Sequence, residues 1–209
     1  KPYLVADYTE SRKLPLQLKV FYTMSLYCGF RKSETLALHW DDIDFENKTI
    51  SIQHTVVSTK VDGVVTDIAR DRTKTKSSCR TLPLIPACER MLKKMQKEQA
   101  LNRKVCGKDY CTDYLDYIYV NEIGEIIKPG FLTSHFASVL KANNMPRIRF
   151  HDLRHTCASL LFAQGVSLKE IQAWLGHSTI GTTANIYTHL DENNKLSSAN
   201  AILSILPKK

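Results

Sequence analysis

Residues 150–178 read FHDLRHTCASLLFAQGVSLKEIQAWLGHS. Apolar side chains recur there at helical spacing in two blocks, 151–164 and 167–175. Gly165 separates the blocks and Gly176 ends the second. In the first block His151 and Arg154 stand three apart and His151 and His155 four apart, so both pairs share a helix face. In the second, Gly176 stops the helix and leaves His177 exposed at the start of a further helical pattern, 179–187. Taken singly, His151 reads as a capping or core histidine, His177 as a cap or surface residue, and Tyr187 as one core tyrosine among nine.

Outward from this block, helical patterns occupy 130–143 upstream and 192–206 downstream. Residues 14–28, LPLQLKVFYTMSLYC, predict a helix that Gly29 stops, and Ser33 is the expected N-cap of a short helix through Leu38. The stretch KTISIQHTVV at 48–57 alternates like a strand, Asp62-Gly63 signals a hairpin turn, and 64–69 reads as the return strand. A polar, basic stretch, 70–80, leads into a third strand at 81–84. Pro86 opens a helix to about Arg103, residues 104–116 read as a loop, and 117–120 is a short apolar run. The expected class is mostly α with a small three-stranded antiparallel β-sheet, in a single domain over 1–209.

The 29 Lys plus Arg outnumber the 21 Asp plus Glu, for a formal charge of +8. A phosphate-rich partner accounts for that balance, although charge alone also fits a protein kept in solution by it. No stretch approaches the roughly 20 apolar residues that span a bilayer, and the opening KPYLVADYTE holds no apolar signal core. The six cysteines have irregular spacings and no Cys-x-x-Cys pair, which, with no secretory signal, predicts reduced thiols in a cytoplasmic protein.

Four more segments carry possible chemistry. Gly29-Phe30-Arg31-Lys32-Ser33-Glu34 sets Arg31 in a tight corner between two helices, where a guanidinium is held still. Thr73-Lys74-Thr75-Lys76 precedes the third strand, and a lysine on such a turn reaches a phosphate as a mobile point charge. Trp174-Leu175-Gly176-His177-Ser178 and Thr182-Thr183-x-x-x-Tyr187-Thr188-His189 follow. His151 and His155 also raise a zinc-hydrolase reading, but the H-E-x-x-H signature needs glutamate where Asp152 stands, and no third ligand has a recognisable spacing.

In this order, CGFRKSETLALHWDDIDF, TKTKSSCRTLPL, FHDLRHTCASLLFAQGVSLKEIQAWLGHS and TTANIYTH resemble the tyrosine recombinase, or phage integrase, family over about residues 14–190. The likeness is greatest to integrases of conjugative transposons and temperate phages. It implies the catalytic-domain fold of that family, without the N-terminal core-binding domain, and a DNA-cutting and rejoining enzyme. It matches Arg31 and Arg154 to two catalytic arginines, Glu34 to the acidic residue after the first, and Lys74 to a β-hairpin lysine. His151 and His177 match two further site positions, and Tyr187 the nucleophile. Lys32 stands where the family often has a small apolar residue, and Thr73 where it often has proline.

The resemblance implies transesterification at a DNA phosphodiester, giving a 3′-phosphotyrosyl bond without metal, ATP or other cofactor. Preorganised cations would meet the negative charge that builds on phosphate, and a phenol of pKa about 10 needs a base, for which His151 is the candidate, with Lys74 as general acid. Arg70, Arg72, Lys76 and Arg80 are candidate DNA contacts around the lysine turn. The expected partner is double-stranded DNA at specific recombination sites. The amphipathic segment 192–206 either folds back on its own core or passes to a neighbour in a homotetramer on DNA, with a monomer when free. A resealing topoisomerase and a silent DNA-binding regulator of the same fold are the competing readings.

Overall fold

The computed structural model describes residues 14–61, 64–70 and 79–184. Helix α1 (Leu16–Tyr27) is buried from Gln17 to Leu26 except at Lys19, as expected of a helix that is apolar around most of its circumference. It packs against α3 (Pro86–Cys106) and α5 (Asp152–Ala163). Between them come the short α2 (Lys32–Leu36) and a 3₁₀ turn at Trp40–Asp42. The remaining helices are α4 (Pro129–Ala142), α6 (Leu168–Leu175) and α7 (Ile180–Ala184).

A three-stranded antiparallel sheet has the order β1 (Ile43–Asp44), β2 (Thr49–Ile52), β5 (Arg80–Pro83), with Ile50 paired to both Ile43 and Leu82. Asp44 Oδ1 accepts from the backbone N–H groups of Glu46 and Asn47 and so closes the β1–β2 turn. A separate hairpin, β3 (Thr55–Val61) with β4 (Val64–Arg70), closes at Val61↔Val64.

Three local expectations are corrected. The alternating run 48–57 is two strands, and β1 rather than 64–69 completes the three-stranded sheet. The break falls at Gln53-His54, where the His54 ring stacks on His39 at 4.7 Å and Gln53 donates to Asp42; a tertiary contact overrides the strand pattern. The cap of α2 is Arg31, not Ser33, because the Glu34 carboxylate reaches back to the Arg31 N–H at 2.9 Å. The third helix continues past Arg103 to Cys106, and a 3₁₀ turn at Gly107–Asp109 follows, so the loop begins later than its polarity suggests.

One core cluster surrounds α1 and includes Phe21, Met24, Phe30, Ile50, Leu92, Tyr119, Leu132 and Leu153. A smaller one, Cys157, Ala158, Ile171 and Leu175, joins α5 to α6. Gly29 lies where they meet. Its φ of +66° is left-handed, and a Cβ there would collide with the Leu175 side chain and press on Cys157.

Candidate active site

The end of α1, the start of α2, the start of α5, the end of α6 and the first residue of β5 converge. Their junction is built around one carboxylate. Glu34 is 1% exposed and receives Arg31 Nη1 at 2.5 Å and Arg80 Nη2 at 3.1 Å, with Arg154 Nη1 at 3.9 Å. Burial alone would raise the Glu34 pKa, but Arg80 and Arg31 outweigh it and hold the carboxyl below its ordinary value.

Among the described residues, Arg154 is the largest fully buried side chain, 1% exposed. Its guanidinium donates to Gly29 O at 2.7 Å, to Leu175 O at 2.5 Å and through Nε to His177 Nε2 at 3.3 Å. Burial and the nearby Arg31 push its pKa down to about 9, still far enough above neutrality to keep the charge. A buried cation needs compensation, and here it comes from Glu34 and from carbonyls at the C-terminal ends of α1 and α6, where helix dipoles are negative.

The four last carbonyls of α6 are all accounted for, as a buried helix end requires. Gly176, in the left-handed conformation, donates to Gln172 O and Ala173 O, and the His177 N–H donates to Gln172 O; this is the Schellman arrangement. Trp174 O accepts from Arg80 Nε at 2.8 Å, and Leu175 O from Arg154. Two arginines therefore cap this helix.

That turn carries His177 inward. The expectation that it is exposed is corrected: it is 7% exposed, and its Nδ1 lies 2.9 Å from Thr183 Oγ1. Since Arg154 Nε–H can only donate, His177 Nε2 must accept and Nδ1 must carry the proton. Burial first, then Arg154 and Arg31, push its pKa down to about 4, so the ring is neutral at pH 7. His151 is exposed at the start of α5, beside His155 at 5.0 Å. Its pKa is lowered by partial desolvation and by His155, Arg154 and Arg31.

Arg31, with 34% of its side chain exposed, is the open arginine of the cluster. Arg80, expected at the DNA surface, is turned inward instead: its side chain is 7% exposed and lies over the Phe30 ring at 5.5 Å. Arg70 ends β4 opposite Thr55. Arg72, Lys74, Lys76, Tyr187 and the segment 192–206 lie outside the described residues. Gly29 O and Trp174 O were not anticipated, because backbone acceptors leave no trace in a sequence, and Thr183, part of the tyrosine segment, has no role of its own in the sequence reading. Lys32 bridges α2 to α4 through Pro129 O and Thr133 Oγ1, which accounts for a lysine where a small apolar residue is usual.

Among the described residues, the group with metal-ligand spacing is His39, Asp42 and His54, not His151 and His155. The His39 and His54 rings stack within 19° of parallel, 4.7 Å apart, and Asp42 Oδ1 lies 3.9 Å from His54 Nε2. An apolar cavity lined by Pro15, Leu18, Ile123, Ile127 and Phe131 includes none of the clustered arginines or histidines.

The sequence profile of the phage integrase family matches residues 4–194. A tyrosine recombinase XerC-like protein of Caldanaerobacter subterraneus subsp. tengcongensis is 35% identical over 86% of this chain and 47% of its own length. The integrase of Staphylococcus phage L54a is 32% identical over 78% of this chain and 45% of its own length. The chain thus spans about half the length of the curated relatives it matches. Among solved structures, the Tn1549 transposon integrase in complex with transposon right end DNA superposes with a TM-score of 0.77 at 22% identity, over 96% of this chain and 65% of that one. XerA recombinase does so at 0.67 and 20%, over 98% and 64%. These likenesses share the mostly helical fold with its small sheet, and the profile runs through every segment that builds the Glu34 cluster: the chain belongs to the phage integrase family.

Proposed function

We propose that the chain is the catalytic part of a site-specific DNA recombinase that integrates and excises a mobile element. The reading rests above all on the cluster in which Glu34 holds Arg31 close to the buried Arg154. Two like-charged guanidiniums repel, and Glu34 keeps them together; a phosphate meets the open Arg31 directly and reaches the buried Arg154 once that side chain is uncovered. Family membership and relatives named as integrases support the same reading.

In this account the Tyr187 oxygen attacks phosphorus and the bond to the 5′ oxygen breaks. The phenol proton passes to His151, which is neutral and able to accept it, and Lys74 gives a proton to the leaving 5′ oxygen. The products are a 3′-phosphotyrosyl bond and a free 5′ hydroxyl, and the phosphoester is conserved for rejoining. Arg31 and Arg154 meet the charge on the non-bridging oxygens. Three of the five Arg154 N–H groups are engaged by protein acceptors, which leaves two for phosphate. For His177 to donate there as well, Nε2 would have to release Arg154 and gain a proton. Arg70, Arg72 and Lys76 are proposed phosphate contacts, and 192–206 the segment that joins neighbours in a homotetramer on DNA. Among the described residues no helix is long and apolar enough to cross a membrane; a bacterial cytoplasmic site is proposed.

Incubation with a nicked suicide substrate should give a covalent protein–DNA adduct that forms in excess chelator and is absent from Tyr187→Phe. Strand cleavage that requires a divalent metal and leaves no adduct would contradict the metal-free scheme and favour the histidine-pair hydrolase.

A further inference from the structure

Arg80 touches both halves of the catalytic cluster without opening to the surface. Nη2 is 3.1 Å from Glu34 Oε2, Nε donates to Trp174 O at 2.8 Å, and the guanidinium lies over Phe30. Glu34 is the carboxylate that holds Arg31. Trp174 is in the last turn of α6, two residues before the Gly176-His177 turn and next to the Leu175 carbonyl that Arg154 caps. A rigid guanidinium fork can fix two acceptors at a set angle, which a flexible ammonium cannot. Residue 80 is also the first of β5, so the fork ties the strand that follows the lysine segment 71–78 to the arginine cluster.

From this geometry we infer that Arg80 is a positioning residue for the strand-cleavage reaction: it sets Glu34, and through it Arg31, and it fixes the α6 terminus from which Arg154 and His177 are aimed. The inference rests on the recombinase reading above. Removal of Arg80 leaves Trp174 O without its cap and Glu34 with one fewer cation, so Arg31 and Arg154 lose their mutual register while both remain in the chain.

The test measures single-turnover cleavage of a suicide substrate at saturating DNA by wild type, Arg80→Met, Arg80→Lys and Glu34→Gln. DNA affinity is measured across a salt series. Arg80→Met should slow the rate constant by about 100-fold, as expected for a small misplacement of catalytic groups. Its affinity and salt slope should stay at the wild-type values. Added methylguanidine should restore part of the rate in Arg80→Met and none in Glu34→Gln. Arg80→Lys should fall between. The Glu34→Gln/Arg80→Met double variant should be about as slow as the slower single one, since both break the same link.

Three results would overturn the inference. A salt slope reduced by about 0.9 with an unchanged rate at saturation makes Arg80 a phosphate contact. A lowered reaction amplitude with a wild-type rate constant, unaffected by methylguanidine, makes it a folding residue only. Multiplicative losses in the double variant separate Arg80 from Glu34. Absence of an adduct in wild type would instead count against the recombinase reading, so the two failures are distinguishable.

Discussion

Gly29 and His177 show how much of the site depends on single residues that hold Arg154 in place. The Gly29 carbonyl accepts from Arg154, and its left-handed backbone brings α1 against Cys157 and Leu175. Gly29→Ala combines a left-handed penalty of about 1 kcal/mol with overpacking of about 1–3 kcal/mol. Denaturant unfolding should therefore show a loss of about 2–4 kcal/mol; a loss under 1 kcal/mol would mean that α1 and α5 can separate freely. His177 is held neutral, with a folded pKa of about 4 against about 6.5 unfolded. The unfolded chain takes up this proton first as pH falls. The stability that the neutral ring contributes is thus complete above pH 6.5 and lost between 6.5 and about 4. At about 1.4 kcal/mol per pH unit the loss approaches about 3.5 kcal/mol. Unfolding measured at pH 7 and pH 5 should show a fall in wild type that is smaller in His177→Gln; equal falls would place the acid sensitivity elsewhere.

At the scale of elements, the ends of helices carry the site and their middles carry the core. The 150–178 block was legible because Gly165 and Gly176 punctuate a strong helical period, and α5 and α6 form within a residue of the expected limits. The N-cap of α2 was not legible, because capping preferences favour Ser33 while a buried carboxylate with three cationic neighbours decides the matter in favour of Arg31 and Glu34. The burial of Arg80 was equally hidden: within a basic run, nothing local separates an arginine that binds Trp174 O from one that faces solvent. The inward turn of His177 follows from backbone bonds to Gln172, which a residue pattern does not encode. Because His151 at the start of α5 has its pKa lowered from the ordinary 6.5, the acid limb of the cleavage rate should lie below pH 6.5. A limb at or above 6.5 would remove His151 as the base.

Over the whole molecule, the charge of +8 and the convergence of Arg31, Arg80 and Arg154 on Glu34 fit the proposed phosphate-rich partner. Binding to duplex DNA should weaken linearly on a logarithmic salt scale. Arg72→Ala and Lys76→Ala should each flatten the slope by about 0.9 if they neutralise one phosphate apiece. Unchanged slopes would leave both as solvated charges. Removal of residues 192–209 should leave binding to a single site and abolish recombination between two sites if that segment joins neighbours; full recombination would show that it folds back on its own chain. The mostly helical class and the small antiparallel sheet were readable from periodicity, whereas the division of the strands into a sheet and a separate hairpin depended on the His39–His54 stack. The central claim, that this cationic pocket serves a tyrosine nucleophile, is tested most directly by mass spectrometry of the protein–DNA adduct after proteolysis. The account predicts the residual nucleotide on Tyr187 through a 3′-phosphate. A nucleotide on any of the other eight tyrosines, or on a histidine, would contradict it.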